Sequence, residues 1–466
     1  MPQPGTAEQP LRVAIVGSGP AGFFVAQRLL NQKDVVVEVD MYDRLPTPFG
    51  LVRFGVAPDH QEIKAVIRTF EKTAANPRFR FFGNVDVSAH VTLDDLRTCY
   101  HQICFTTGAQ TDRRMNIPGE DLLGSHAATE FVAWYNGHPE YCDRTFDLSA
   151  ERVAVIGVGN VAVDVARVLA RSEEELAGTD IADHALEALR ESRVKEVVML
   201  GRRGPAQAAF TNAEVRELGE LAGADIEVRP EEVELDPLSR AAVEKEDDRT
   251  LHKKLEILDG FARQTPAGKP RRLAIRFLVS PVELVGDASG RVKALKIARN
   301  QLVLGNDGDL RAKSTDHIEE MPVGLVFRSV GYHGIPIPGL PFDQKGGVVP
   351  NSHGRVIDSG SGQPMRGLYV SGWIKRGPTG VIGTNKPDGF ETADAMLQDR
   401  ASGALLAPAT PSADAALNMV VAKQPRVVSY ADWRKLDEIE VKQGRPAGRP
   451  RVKLTNVEEM LRALGR

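Results

Sequence analysis

The chain opens with an apolar run, Leu11 to Val16, broken only by Arg12 and ending at a glycine. A run of that length beside a glycine cluster predicts a buried strand. A helical stretch follows from Phe23 to Asn31, and a second apolar run, Val35 to Tyr42, closes at Asp43. Strand, helix and strand in that order predict a βαβ unit at the start of the fold. The pattern returns near residue 151. Arg152 to Ile156 predicts a strand, the stretch through Ala170 a helix, and Val194 to Leu200 another strand. An Ala/Glu/Leu-rich insertion, Ser172 to Arg193, is expected to be helical. Two such units imply two nucleotide sites, or a duplication in which one copy binds nothing.

Residues 222–335 suggest mixed strand and loop, with charged connectors such as Glu244 to Arg249, and end in a buried strand, Gly324 to Val330. Ala401 to Val421, rich in alanine and proline, is expected as a surface excursion. Ser429 to Arg466 is expected as a polar tail with one short helix near Val457 to Leu464. Over 466 residues, 42% hydrophobic and 26% charged positions supply apolar mass for more than one core and exclude collagen-like, coiled-coil and disordered classes. Lys and Arg number 59 against 63 Asp and Glu, so a nucleic-acid partner has no global electrostatic support. Apolar runs stay short of the ~18 residues of a membrane span. The first residues, MPQPGTAEQP, carry no basic or apolar targeting pattern. A cytoplasmic protein without a membrane span is expected.

Candidate chemistry concentrates at the glycines. Gly17-Ser18-Gly19-Pro20-Ala21-Gly22 is a GxGxxG between strand and helix. In such a turn Gly17 allows the tight bend, Gly19 lets a pyrophosphate approach the backbone, and Gly22 lets helix pack on strand. The helix start offers free N–H groups and a positive dipole to phosphate. Asp43, 21 positions after Gly22, stands where an acid bonds ribose hydroxyls. The second turn, Gly157-Val158-Gly159-Asn160-Val161-Ala162, has alanine in the third place, a tolerated variant. Its second strand ends not in an acid but in Arg202 and Arg203, the two guanidiniums that a 2′-phosphate requires. The first turn therefore suits the adenosine half of FAD, and the second suits NADPH. Cys99 and Cys104 have the CxxxxC spacing of flavin disulfide reductases but straddle a helix end and a strand, so core thiols are expected. With Cys142 they are too few for a disulfide framework or an iron–sulfur segment.

Longer segments carry a family resemblance. They are GSGPAG from Gly17, PFGLVRFGVAPDH (Pro48 to His60), IPGEDLLGSHAATEFVAWYNGHP (Ile117 to Pro139), GVGNVAVDVAR from Gly157, GRRGP from Gly201 and GWIKRGPTGVIGT from Gly372. Together they resemble the adrenodoxin reductase-like ferredoxin–NADP+ reductases, the glutathione-reductase type. The tail RPAGRPRVK (Arg445 to Lys453) resembles the bacterial members. The resemblance implies an α/β fold of two Rossmann-like three-layer dinucleotide-binding domains. An FAD domain, residues 1–112 and 338–466, would hold an inserted NADP domain, 113–337. It implies FAD on Gly17, Gly19, Pro20, Ala21, Gly22, Asp43, Leu51, Trp373, Gly380, Val381 and Ile382. It implies NADP(H) on Gly157, Gly159, Asn160, Val161, Arg202, Arg203, Glu214 and Gly380. Many relatives carry Glu where Asp43 stands. His60 and Asp164 match a polar pair near the flavin, implied to govern protonation there.

The implied reaction moves a hydride from NADPH to FAD and then single electrons to a ferredoxin-type iron–sulfur protein. The electron-input subunit of a glutamate-synthase-like complex shares the two-nucleotide plan, but it needs a Cys-rich iron–sulfur segment that three scattered cysteines cannot build. The other readings are an NADPH-dependent diaphorase or quinone reductase, and a flavin-bound redox sensor without turnover. Ferredoxins are generally acidic, and this chain has a net charge of -4, so docking needs a local basic face. Arg216, Lys253 and Lys254 are the candidates.

Overall fold

All six side chains of the strand Leu11–Val16 are buried, and their alternation explains how. Leu11, Val13 and Ile15 pack with Phe23, Phe70 and Trp433 on one face of a sheet. Ala14 and Val16 pack with Tyr42, Phe105 and Val420 on the other. Parallel strands covered on both faces are nearly continuous in apolar residues. Arg12 is tolerated there because its guanidinium pairs with Glu38 and Asp40, while Asp40 also takes Arg80 and the Tyr100 hydroxyl.

The structure is a computed structural model and describes residues 3–466. Internal packing divides the chain into two units. One comprises the chain up to Val56, His60–Thr111 and Gly331–Arg466; the other comprises Ala57–Asp59 and Asp112–Val330. The first unit holds a seven-stranded sheet in the order Asn351–Ser352, Arg355–Ile357, Pro364–Val370, Gln102–Phe105, Leu11–Val16, Val37–Tyr42, Phe79–Phe82. From Pro364–Val370 onward its neighbours pair in parallel. The chain order reverses between Leu11–Val16 and Gln102–Phe105, and such a switch point opens a crevice at the carboxyl ends of the strands.

In the second unit a six-stranded parallel sheet runs Ser125–Ala127, Leu325–Arg328, Arg152–Ile156, Glu196–Leu200, Arg271–Arg276, Ala224–Val228. Its switch point lies between Leu325–Arg328 and Arg152–Ile156. Helices cover one face, burying Phe131, Val163, Ala166 and Leu258 against Val153, Val155 and Phe327. The other face is covered by a three-stranded antiparallel sheet, Val279–Gly286, Val292–Leu304 and Leu310–Pro322. The layers here are helix, sheet and sheet.

Three expectations need correction. Residues 222–335 are not strand and loop alone, because Pro237–Glu246 and Arg249–Arg263 are helices. The segment Ala401 to Val421 is not wholly a surface excursion: the helix Ala413–Lys423 buries Ala416 and Val420, one turn apart on a single face. The polar tail contains a 15-residue helix, Tyr430–Gly444, started by a Ser429–Asp432 capping box. It anchors through Trp433 and Leu436, two apolar residues among charges, too sparse a pattern to stand out in the sequence.

Candidate functional site

The first turn is built by close packing that only glycine permits. Gly17 has φ +106, and a Cβ on it would lie 2.6 Å from the Thr106 carbonyl oxygen of the neighbouring strand's end. Gly22 packs under the same turn, where a Cβ would meet the Gly17 carbonyl at 2.3 Å. Gly19 is the reverse case. A Cβ there would meet no heavy atom within 4 Å, and the helix Pro20–Leu30 begins at Gly19 without a side-chain cap. The open space lies where, among the described residues, the first-turn N–H groups have no protein partner, as a pyrophosphate needs.

Asp43 reaches this turn directly. Its carboxylate accepts the Ser18 N–H at 3.0 Å and the Ser18 hydroxyl at 2.5 Å through one oxygen, and the Leu45 N–H at 3.0 Å through the other. Burial raises the pKa of its carboxyl, and the bonds from Ser18 and Leu45 counter that only in part. Two further motifs converge on the same helix start. Phe49, at φ +85, is held in an uncommon backbone conformation by its ring contacts with Phe23, Phe70 and Trp433. That sets Gly50 against Gly19, with 3.0 Å between a Gly50 Cβ and the Gly19 Cα, and leaves Leu51 37% exposed beside it. Gly372, at φ +76, comes so near Ala21 that a Cβ would sit 2.7 Å from the alanine methyl. Asp388 fixes this approach by accepting the Gly372 N–H at 2.6 Å and binding Lys375 at 2.9 Å. Trp373 donates its indole N–H to Thr379, and the exposed Gly380–Val381 turn follows.

The second turn repeats the plan with different chemistry. Gly157 has φ +137, and a Cβ would lie 2.3 Å from the Ser329 carbonyl oxygen at the sheet's switch point. Space above Gly159 is open as far as the Ala209 methyl at 4.0 Å, and the helix Asn160–Ala170 also starts without a side-chain cap. Asn160 staples the turn by accepting the Thr211 N–H at 2.8 Å. Arg202 is exposed and Arg203 half-buried. Among the described residues neither guanidinium has a hydrogen bond or ion pair, although most arginines of this chain do.

Asp164 and Glu214, distant in sequence, are brought together by a residue the sequence did not single out. Arg167 is fully buried and binds Asp164 at 2.7 Å, Asp59 at 2.8 Å, and Glu214 and Glu217 at 3.3 Å each. Burial alone would lower its pKa; Asp164 and Asp59 outweigh that and raise it. A buried arginine ringed by carboxylates leaves no periodic trace, so only the fold reveals it. His60 is half-buried in the first unit and opens the short helix Gln61–Lys64. Cys99 and Cys104 are free, buried core thiols, and burial raises the Cys104 pKa. Of the two lysines expected in docking, Lys254 is half-buried and donates to the Ala208 carbonyl at 2.6 Å, while Lys253 is exposed and pairs with Glu256 on the surface; Arg216 is exposed.

Two switch-point turns on two parallel sheets, one answered by an acid and one by an arginine pair, define an oxidoreductase of the class that uses two dinucleotides. The sequence pattern of the pyridine nucleotide-disulphide oxidoreductases matches residues 11–199. The chain is 48% identical over 463 residues to the NADPH-ferredoxin reductase FprA of Mycobacterium tuberculosis, covering 97% of this chain and 99% of that protein. It is 44% identical to the human mitochondrial NADPH:adrenodoxin oxidoreductase, covering 99% and 93%. The solved structure of M. tuberculosis FprA in complex with NADPH superposes with a TM-score of 0.92 at 47% identity, covering 98% of this chain and all of that one. The chain belongs to the family of the NADPH–ferredoxin and adrenodoxin reductases.

Proposed function

We infer that this chain is an FAD-dependent NADPH–ferredoxin reductase. One observation carries the reading: the second turn ends in two guanidiniums without partners among the described residues, whereas the first ends in an acid, in a chain similar along its length to reductases of that name. When bound, FAD accepts a hydride from NADPH and passes electrons singly to an iron–sulfur protein.

The chain's own residues bind and orient. Gly17, Gly19, Pro20, Ala21 and Gly22 receive the FAD pyrophosphate, with the open space at Gly19 in support. Asp43 tightens that turn through Ser18 and faces the adenosine ribose. Leu51, Trp373, Gly380, Val381 and Ile382 line the ring end, supported by the approach of Gly50 to Gly19 and of Gly372 to Ala21. Gly157, Gly159, Asn160 and Val161 receive the NADPH pyrophosphate, Arg202 and Arg203 its 2′-phosphate, and Glu214 and Gly380 contact the same nucleotide. Arg167 binds the Asp164 carboxylate, and His60 and Asp164 govern protonation near the flavin. The cytoplasm is its place on this reading, since three free thiols suit a reducing compartment. Among the described residues no helix is long and apolar enough to cross a membrane.

The test uses the FAD-loaded protein with a ferredoxin and cytochrome c. NADPH should drive cytochrome reduction that depends on the ferredoxin and slows as salt rises, because steering charges are screened over about 8–10 Å. NADH should be a poor donor. Equal rates with and without ferredoxin, beside fast quinone reduction, would replace this reading with that of a quinone reductase.

A further inference from the structure

Three irregularities of the second unit meet beneath the Arg202–Arg203 turn. The pairing of Val292–Leu304 with Leu310–Pro322 slips in register between Ala298 and Asn300. Such bulges re-aim a side chain. Leu278, with no glycine's freedom, sits in the left-handed region at φ +55. And Asn300 is an amide only 5% exposed on a strand whose other buried residues nearby, Ile297, Ala298 and Leu302, are apolar.

All three act on the same two peptide groups. The Asn300 side-chain amide donates to the Arg202 carbonyl at 2.7 Å and to the Ser280 hydroxyl at 2.7 Å. Its oxygen accepts the Ser314 hydroxyl at 3.1 Å, so both donors and the acceptor are used and the amide has one satisfied orientation. The twisted Leu278 donates its N–H to the Arg203 carbonyl at 3.2 Å and accepts the Asn300 N–H at 2.7 Å. Consecutive carbonyls of the arginine pair are thus tied from below, while neither guanidinium has a partner among the described residues. Two adjacent like charges with no partner repel, and each long side chain loses rotamer freedom on binding, so a fixed backbone lowers the cost of bringing both to one anion.

We propose that Asn300 is a positioning residue for NADPH specificity: it holds the Arg202–Arg203 turn so that both guanidiniums meet the same 2′-phosphate. The proposal rests on the reading that these arginines bind that phosphate. The signal is specific to the phosphate, because Asn300 touches the turn and not the glycine loop that receives the pyrophosphate.

The test is calorimetric titration of the FAD-loaded protein with NADP+, NAD+ and 2′,5′-ADP, with melting temperature recorded alongside. Asn300→Leu keeps the volume and removes the donors. It should weaken NADP+ and 2′,5′-ADP about tenfold, the loss of one buried hydrogen bond, and leave NAD+ within about twofold. In an R202A/R203A background the same change should cost NADP+ nothing further, since no guanidinium remains to be placed. Should the leucine variant not fold, Asn300→Ser admits a water and is read identically. Parallel weakening of NADP+ and NAD+, or a lower melting temperature with an unchanged ratio of the two affinities, overturns the proposal and leaves Asn300 a packing residue. If R202A/R203A lowers that ratio and Asn300→Leu does not, Asn300 alone is wrong. If R202A/R203A itself leaves the ratio unchanged, the phosphate reading has failed, and the proposal falls with it.

Discussion

The two glycine turns are alike in backbone and opposite in charge. Gly17 and Gly157 each abut a carbonyl of the strand across the switch point, at 2.6 and 2.3 Å from a built Cβ, and each precedes an uncapped helix. What differs is the end of the next strand. Asp43 spends its carboxylate on Ser18 and Leu45 and so stiffens its own turn. Among the described residues the side chains of Arg202 and Arg203 make no bond to their turn, whose carbonyls are bonded by Asn300 and Leu278 instead. On the proposed reading, an acid that meets a ribose can be a structural part of its site, whereas an arginine that meets a phosphate keeps its charge uncommitted and leaves the holding to the structure around it.

The largest test of that contrast is Arg167→Met. Removing a buried cation from four carboxylates should cost about 3–5 kcal/mol of stability in the second unit. Limited proteolysis should then cut within Asp112–Val330 before the first unit, and the protein should keep its yellow colour. Simultaneous loss of both units on heating would break the separation.

Next in size is an exchange of chemistry. Arg202→Asp with Arg203→Ala gives the second turn the ending of the first. Each charge-assisted bond lost is about 1.5–3 kcal/mol, so NADPH should weaken by roughly a hundredfold or more while NADH weakens little or improves. Steady-state kinetics with both donors decides it. An equal loss for NADH would mean the arginines do not read the phosphate.

The reciprocal change is smaller. Asp43→Ala removes the acceptor for Ser18 and Leu45 and should weaken FAD about tenfold, measured by flavin release on dilution, with NADP+ affinity intact.

The smallest effects concern pH, where the two units are expected to respond in opposite senses. His101 is half-buried beside Arg12, and burial first, then Arg12, lowers its pKa from 6.5 to about 4. The unfolded chain takes up that proton below 6.5 and the folded one only near 4, so its contribution to stability is intact above 6.5 and falls toward pH 4. Asp112, accepting the Thr129 hydroxyl, is raised by burial from 3.8 to about 6. Its contribution is full below 3.8 and is lost as pH rises through 6. His101→Asn should therefore raise the melting temperature near pH 4.5 and not at 7.5, and Asp112→Asn should do the reverse. Shifts of about 2–4 °C are expected for units of this size. Matching pH profiles for both variants would remove this distinction.

Much of this was legible along the chain because local rules are strict. Six apolar positions before a glycine cluster, an acid 21 residues after Gly22 and an arginine pair in Gly201 to Pro205 each follow from what a turn, a ribose or a phosphate demands of nearby backbone. The long helix Tyr430–Gly444 was not legible, since Trp433, Leu436 and the buried Glu440 make a face only once Arg53 supplies Glu440 with a bidentate partner at 2.5 and 2.9 Å. Nor could the sequence tell Lys254, tied to Ala208, from a free lysine.

The sequence by itself determined the two glycine turns, the acid and the arginine pair that follow them, and the family, because those depend on residues a few positions apart. Only the tertiary structure decided which charges are spent and which stay free. Arg167 is consumed by Asp59, Asp164, Glu214 and Glu217, while the guanidiniums of Arg202 and Arg203 have no partner among the described residues, and the Arg202 carbonyl is bonded by Asn300, almost a hundred residues further along the chain. The physical reason is that a charge's role depends on burial and on partners within about 4 Å, and the fold sets both by joining segments that are remote in sequence.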